Sequence, residues 1–266
     1  MGIIVNPKIS AINLLKQEEI KINTVDKFHS LPKVLILNLM PNKIDCEYQL
    51  LRLLGNSVID IKVDFLYVKT YKPKNINLSY LKEAYKTLDK VKNQNYDGMI
   101  ITGAPLELIE FDDVKYWKEL QEIMDYANRN VKSTIYLCWA TTAGLYHNYK
   151  IPKCVVEKKI VGVFQNKIID KKSPLLSKCG DNILSPHSRY FDIRKEDIKK
   201  IDDLNIISES EDSGIHIISK KDGKQIYITG HLEYSKFTLD NEYKRDLEGV
   251  VSPSLPKNYF PNDDTS

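Results

Sequence analysis

Apolar positions along the first half of the chain follow two alternating periods. The run KVLILNLM (33–40) is apolar almost throughout and predicts a buried strand, whereas EYQLLRLLGN (47–56) spaces its leucines for one helix face and closes on a Gly-Asn stop. The alternation in VIDIKVDFLYV (58–68) predicts the next strand. Leu81, Ala84, Tyr85, Leu88 and Val91 predict a single helix over 79–93, and YDGMIITGAP (96–105) a third strand running into a Gly-Ala-Pro turn. FDDVKYWKELQEIMDYANRN (111–130) reads as a long helix, with Asp112 and Asp113 suited to its positive N-terminal end. The apolar STIYL then delivers Cys138 and turns at once into the helix-like WATTAGLYHNY. Strands alternating with amphipathic helices predict an α/β fold, an open and mostly parallel sheet flanked by helices.

Past residue 150 the pattern becomes β-rich. CVVEKKIVGVFQNKIID suggests a strand pair, SPHSRYFDI a loop entering a strand, and GIHIISKKDGKQIYITGHLEY a hairpin about Lys221-Asp222-Gly223. FTLDNEYKRDLEGV (237–250) predicts a closing helix. With no repeat or low-complexity linker, 1–266 reads as a single domain, with 1–30 an N-terminal extension and 253–266 an extended tail.

Ligands of open parallel sheets collect at the carboxyl ends of strands. Three such ends, NLMPNK, ITGAPLE and LCWATT, carry small, basic or nucleophilic residues. Free cysteine is usually a buried small hydrophobe, the reading taken for Cys46, Cys154 and Cys179. Cys138 stands at a sharp strand-to-helix junction, where following N–H groups can stabilise a thiolate or an oxyanion, so filler and nucleophile both remain open for it. Among the histidines, His29 falls in a polar peripheral segment, His147 points elsewhere along its helix, His216 alternates within a strand where a core or a surface role is the default, and His187 reads as a loop residue able to line a site. His231 ends the strand QIYITG, and in an extended chain Glu233 would share its face, so the three side chains can form a nucleophile, base and orienting carboxylate. HLE by itself reads first as a surface loop with ordinary polar residues.

Composition narrows the alternatives. The net charge of +3 arises from 39 basic and 36 acidic residues that interleave, which leaves no footprint for nucleic acid or a membrane surface. The first 20 residues place Pro7, Lys8 and further charges where a signal peptide needs an apolar core, so a cytoplasmic setting is expected. Four scattered cysteines suggest neither a disulfide framework nor a zinc site, and no metal or bound cofactor is expected.

The blocks LNLMPNKIDCEYQLLRLLGN, YDGMIITGAPLELIEFDDVKYW, STIYLCWATTAGLYH, SPHSRY, SKKDGKQIYITGHLEY, EYKRDL and NYFP, spread from Pro32 to Asp264, resemble the homoserine O-acyltransferases of methionine biosynthesis. The resemblance implies a class I glutamine amidotransferase-like (flavodoxin-like) fold with a C-terminal β-rich elaboration, and a homodimer. It implies that Cys138 is the acyl-thioester nucleophile, His231 the proton acceptor and Glu233 its partner. Lys43 matches an active-site lysine and, with the N–H groups near Trp139, would support an oxyanion or thiolate. Lys159, Ser188 and Arg245 match positions that hold the amino-acid substrate. Glu107 matches the position that separates acyl donors, glutamate resembling the acetyl-CoA type and glycine the succinyl-CoA type. A carboxylate there would repel the free carboxylate of a succinyl group.

The implied activity is ping-pong acetyl transfer from acetyl-CoA, a co-substrate, to the hydroxyl of homoserine. The chain departs from the family at Thr142 (usually Gln), Leu232 (usually Pro) and Gln165-Asn166, and an aromatic-rich segment that usually follows NYFP does not appear. These departures keep a serine O-acetyltransferase of cysteine biosynthesis open as acceptor variant, since one methylene is worth only about 1–3 kcal/mol of discrimination. A cysteine hydrolase or glutamine amidotransferase is the remaining reading on the same fold.

Overall fold

The computed structural model describes residues 2–23, 31–249 and 253–264; the expectation for His29, residues 1 and 24–30 of the expected extension and 265–266 of the expected tail lie outside the described residues. The chain forms two compact units, Met1–Tyr136 and Leu137–Ser266.

In the first unit, β1 (Ile3–Val5), β2 (Ile22–Asn23), β3 (Lys33–Leu37), β4 (Ile61–Leu66), β5 (Tyr96–Ile101) and β6 (Val131–Leu137) lie in the order β2-β1-β4-β3-β5-β6. All the pairings between them are parallel. The expected N-terminal extension thus supplies a strand: Ile3, Ile4 and Val5 are buried, and β1 joins β2 to β4. The helices are α1 (Ile12–Gln17), α2 (Lys43–Gly55), α3 (Leu78–Ala84), α4 (Leu88–Val91) and α5 (Trp117–Asn130). α2 begins earlier than its apolar spacing predicts because Asn42 caps it, its side chain accepting from Asp45 N at 3.3 Å.

The helix expected over 79–93 is broken. Lys86 is pulled into extended backbone beside β4, donating to Phe65 O and accepting from Tyr67 N, and its ammonium meets Asp64 at 2.7 Å. Tyr85, buried beside it, donates to the fully buried Glu47 at 2.8 Å. These tertiary bonds override local helix propensity. Asp112 and Asp113 sit in a separate 3-10 turn, Phe111–Asp113, and not in the first turn of α5.

The second unit contains α6 (Trp139–Tyr149), β7 (Cys154–Ile168), β8 (Asn182–Asp192), α7 (Lys195–Lys199), β9 (Leu204–Ser210), β10 (Gly214–Lys220), β11 (Gln225–Ile228) and α8 (Thr238–Gly249). Its strands run β11-β10-β9-β7-β8 with antiparallel pairings, the β-rich elaboration expected from the sequence. The stretch expected to be a strand pair is the single long β7, and the expected loop at 185–188 is part of β8. Pro186 is tolerated there because β8 is an edge strand of this unit. The tail is docked: Lys257 exchanges backbone bonds with Val161 and Val163 of β7. Gly162, at φ +143°, permits this approach, since a Cβ would run into the Lys257 backbone.

Candidate active site

β6 leads directly into Cys138, which adopts φ +49° and ψ −118° before α6 begins at Trp139. A non-glycine residue in that region costs on the order of 1–3 kcal/mol and persists only where the surroundings impose it. Here they do: Cys138 N donates to Ile228 O at 2.7 Å, Thr141 N to Cys138 O at 2.9 Å, and Thr141 Oγ1 to Ile228 O at 2.9 Å. The turn is therefore pinned to the last residue of β11, and α6 begins with N–H groups that no earlier helical turn can satisfy.

The same strand end places the imidazole. Thr229 is tied to β10 by bonds to His216 O and Ile215 O, and His231 N donates to Pro186 O of β8 at 2.8 Å. Ile228 and His231 are three residues apart, so one short segment fixes both the cysteine turn and the histidine. Gly230 lets this segment lie flat on β8, because a Cβ there would meet Ser185 Oγ, with His187 Nε2 at 2.9 Å and Pro186 O at 3.0 Å.

His231 Nδ1 donates to Glu233 Oε1 at 2.7 Å, the only polarity open to an ionised carboxylate. His231–Glu233 is a turn and not the extended pair expected, with Tyr234 N returning to His231 O at 3.3 Å. The remaining ring nitrogen, Nε2, is left for the Cys138 side chain, with which the imidazole is hydrogen-bonded. Burial alone would lower the imidazole's pKa, but the Glu233 carboxylate and the Cys138 sulfur outweigh it and hold His231 well above its ordinary value. The arrangement sets the Cys138 sulfur against an imidazole that holds its proton firmly, a pair suited to attack on an acyl carbon and to the movement of one proton.

Tyr234, which sequence reasoning passed over inside HLEY, stacks on the His231 ring at 4.1 Å and 18° and donates to Glu242 at 2.8 Å. Two of the other histidines, His187 and His216, are core groups. His187 is fully buried in β8, against the expectation of a loop, and burial, reinforced by Arg189 and His216, pushes its pKa well below the usual value. His216 meets Ser208 at 3.1 Å and is lowered to about 4 by burial and by Arg189.

Lys159 of β7 and Arg245 of α8 converge on Asp246: Lys159 Nζ lies 2.7 Å from one carboxylate oxygen and Arg245 donates to the other at 2.8 and 3.1 Å. Burial would raise the Asp246 pKa, yet the two cations pull it below the ordinary value. Ser188 is buried in β8 opposite Val161. Lys43 and Glu107 belong to the first unit. Lys43 Nζ donates to Asn38 O at 2.8 Å and Met40 O at 3.0 Å. Glu107 is half-buried in the turn after β5. Of the cysteines expected to be fillers, Cys46 is buried, Cys154 half-buried and Cys179 exposed.

A strained cysteine between a parallel strand and a helix, opposite a His–Glu pair, on an α/β scaffold defines a glutamine amidotransferase-like fold. A glutamine amidotransferase from Thermotoga maritima superposes with a TM-score of 0.57 at 12% identity, covering 83% of this chain and 85% of that one. The profile of the homoserine O-succinyltransferase family matches residues 2–266, and the chain belongs to that family. It is 45% identical to homoserine O-acetyltransferase 1 of Ilyobacter polytropus over 99% of this chain and 88% of that protein. To the homoserine O-acetyltransferase of Bacteroides fragilis it is 42% identical over 97% and 86% of the two chains.

Proposed function

We propose that the protein transfers an acetyl group from acetyl-CoA to the side-chain hydroxyl of L-homoserine through an acetyl-Cys138 intermediate. The observation that carries this reading is the buried Cys138–His231–Glu233 cluster at the start of α6. The names of the relatives supply the acetyl group and the homoserine acceptor, and coenzyme A as the carrier enters through the family resemblance.

In the first half-reaction Cys138 Sγ bonds to the acetyl carbon while the carbon–sulfur bond to coenzyme A breaks. The proton on His231 Nε2 passes to the departing sulfur, leaving a neutral imidazole. In this reading the backbone N–H groups of the first turn of α6, from Trp139 onward, stabilise the developing oxyanion. In the second half-reaction the neutral Nε2 takes the proton of the homoserine hydroxyl, whose oxygen attacks the thioester, and Cys138 leaves as a thiolate beside a restored imidazolium. Glu233 holds the Nδ1–H tautomer throughout and stabilises the cation, which is why the raised pKa of His231 supports the cycle.

Lys159 and Arg245 hold the substrate carboxylate in this reading. Their convergence on Asp246 supports it, because a guanidinium and an ammonium already oriented on one carboxylate can share a second. Ser188, within the same antiparallel unit, sets acceptor preference, and Glu107 excludes a succinyl group by charge. No helix among the described residues is long and apolar enough to cross a membrane. Cys46, Cys138, Cys154 and Cys179 form no disulfide, which fits the reducing cytoplasm, and a homodimer enters the reading through the family resemblance.

The test is coenzyme A release from acetyl-CoA with homoserine and serine offered separately and Cys138→Ala as control. Faster Cys138-dependent turnover with homoserine is expected. Faster turnover with serine would move the protein to cysteine synthesis, and release indifferent to either amino acid would remove the transferase reading.

A further inference from the structure

The first unit holds a slim cleft of about 180 Å³ at the carboxyl edge of its parallel sheet. Its walls come from the segments after three strands: Leu39 to Pro41 after β3, Tyr67 and Tyr71 after β4, and Ala104 to Leu106 after β5. In the order β4-β3-β5, the chain leaves β3 towards β4 and then crosses to β5 on the other side. The cleft therefore opens at a reversal of strand order, the position at which open parallel sheets bind ligands.

The cleft carries a distinctive set of charges. Lys43, 7% exposed, is one of its lining residues, and burial lowers its pKa to about 8. Two of its three ammonium protons go to the carbonyls of Asn38 and Met40, leaving the third for an acceptor on a bound molecule. Lys74 lines the cleft and is exposed, Lys72 lies two residues away and is also exposed, and neither forms an ion pair among the described residues. No acidic residue is among those lining the cleft, so no carboxylate there would pair with the ammonium of an amino acid.

We propose, on the basis of the acetyltransferase reading, that this cleft takes the pantetheine arm of the acyl-CoA donor, with Lys43 donating to one of its carbonyl oxygens and Lys72 and Lys74 facing the nucleotide phosphates. A thin uncharged chain bearing carbonyl acceptors and ending in phosphates matches apolar walls, one buried donor and cations at the mouth. Leu106 of the cleft directly precedes Glu107, the residue read as selecting the acyl group.

Steady-state kinetics with acetyl-CoA and with acetyl-pantetheine, which lacks the nucleotide, test the assignment. The Lys72→Ala/Lys74→Ala variant should raise KM for acetyl-CoA about 2- to 30-fold, the range of two exposed ion pairs, and leave KM for acetyl-pantetheine unmoved. Leu106→Trp, which fills the cleft, should raise KM at least about tenfold for both donors without raising KM for homoserine. Tyr71→Ala, a half-buried wall residue, serves the same purpose should the tryptophan variant not fold, and should also raise KM for both donors. Ordinary KM values for acetyl-CoA in these variants, with a wild-type protein that turns over acetyl-CoA, would overturn the assignment and leave the acetyltransferase reading standing. A wild-type protein that releases no coenzyme A would remove that reading and the assignment with it.

Discussion

Gly230→Ala is the substitution whose consequence follows most directly from the geometry. Gly230 is pressed against β8, and an added methyl would overlap Ser185 Oγ while lying 2.9 Å from His187 Nε2 and 3.0 Å from Pro186 O. Ser185 and His187 are fully buried, so neither can swing into solvent. Forcing a methyl into such a site costs about 1–3 kcal/mol. For a chain of this size that corresponds to a fall in Tm of about 2–12 °C. The backbone would relieve the overlap by lifting off β8, stretching the 2.8 Å bond from His231 N to Pro186 O. A displacement of about 1 Å at a catalytic group costs on the order of 100-fold in rate. Differential scanning calorimetry and kcat for coenzyme A release read the two effects separately. Adding Ser185→Ala removes the nearest obstacle and should restore part of both losses. Wild-type Tm and kcat in Gly230→Ala, or a double variant no better than the single, would refute the claim that close packing of Gly230 positions His231.

Two further outcomes follow from the site. Glu233→Gln removes a buried charge-assisted hydrogen bond worth about 1.5–3 kcal/mol, so kcat/KM should fall roughly 10- to 150-fold. Because the Glu233 charge helps hold the His231 pKa up, the imidazolium of the variant loses its proton more easily and the alkaline limb of the pH–rate profile should move to lower pH; an unmoved limb would contradict the electrostatic role. Arg245→Ala should raise KM for homoserine roughly 10- to 150-fold through loss of a charged hydrogen bond, with KM for acetyl-CoA unchanged. An equal rise for both substrates would argue for a structural role instead.

Much of this site is legible in the linear sequence because its elements are local. Cys138 follows an apolar strand and precedes small residues, and His231 and Glu233 are neighbours whose pairing any compact backbone allows, although the turn that joins them replaces the extended geometry the alternation suggested. The hairpin about Asp222-Gly223 was equally local, and β10 and β11 pair as its turn chemistry implied. What the sequence hides is tertiary. Helical spacing continues through Tyr85–Thr87, yet bonds to β4 and to Glu47 break the helix there. Ile3–Val5 is too short for a periodic signal but completes the parallel sheet. His187 looks like a loop residue beside a proline until β7 pairs along its whole segment. The convergence of Lys159 and Arg245 on one carboxylate joins residues 87 positions apart at the Lys159–Asp246 pair, and no local pattern announces it.

The central claim is that Cys138 carries the acetyl group. Intact-protein and peptide mass spectrometry after brief mixing with acetyl-CoA, in the absence of amino acid, tests it directly. The account predicts one added acetyl group on the peptide containing Cys138, discharged by homoserine and absent from Cys138→Ala. Turnover without any such adduct, or an acetyl group on a different residue that homoserine discharges at the catalytic rate, would contradict it.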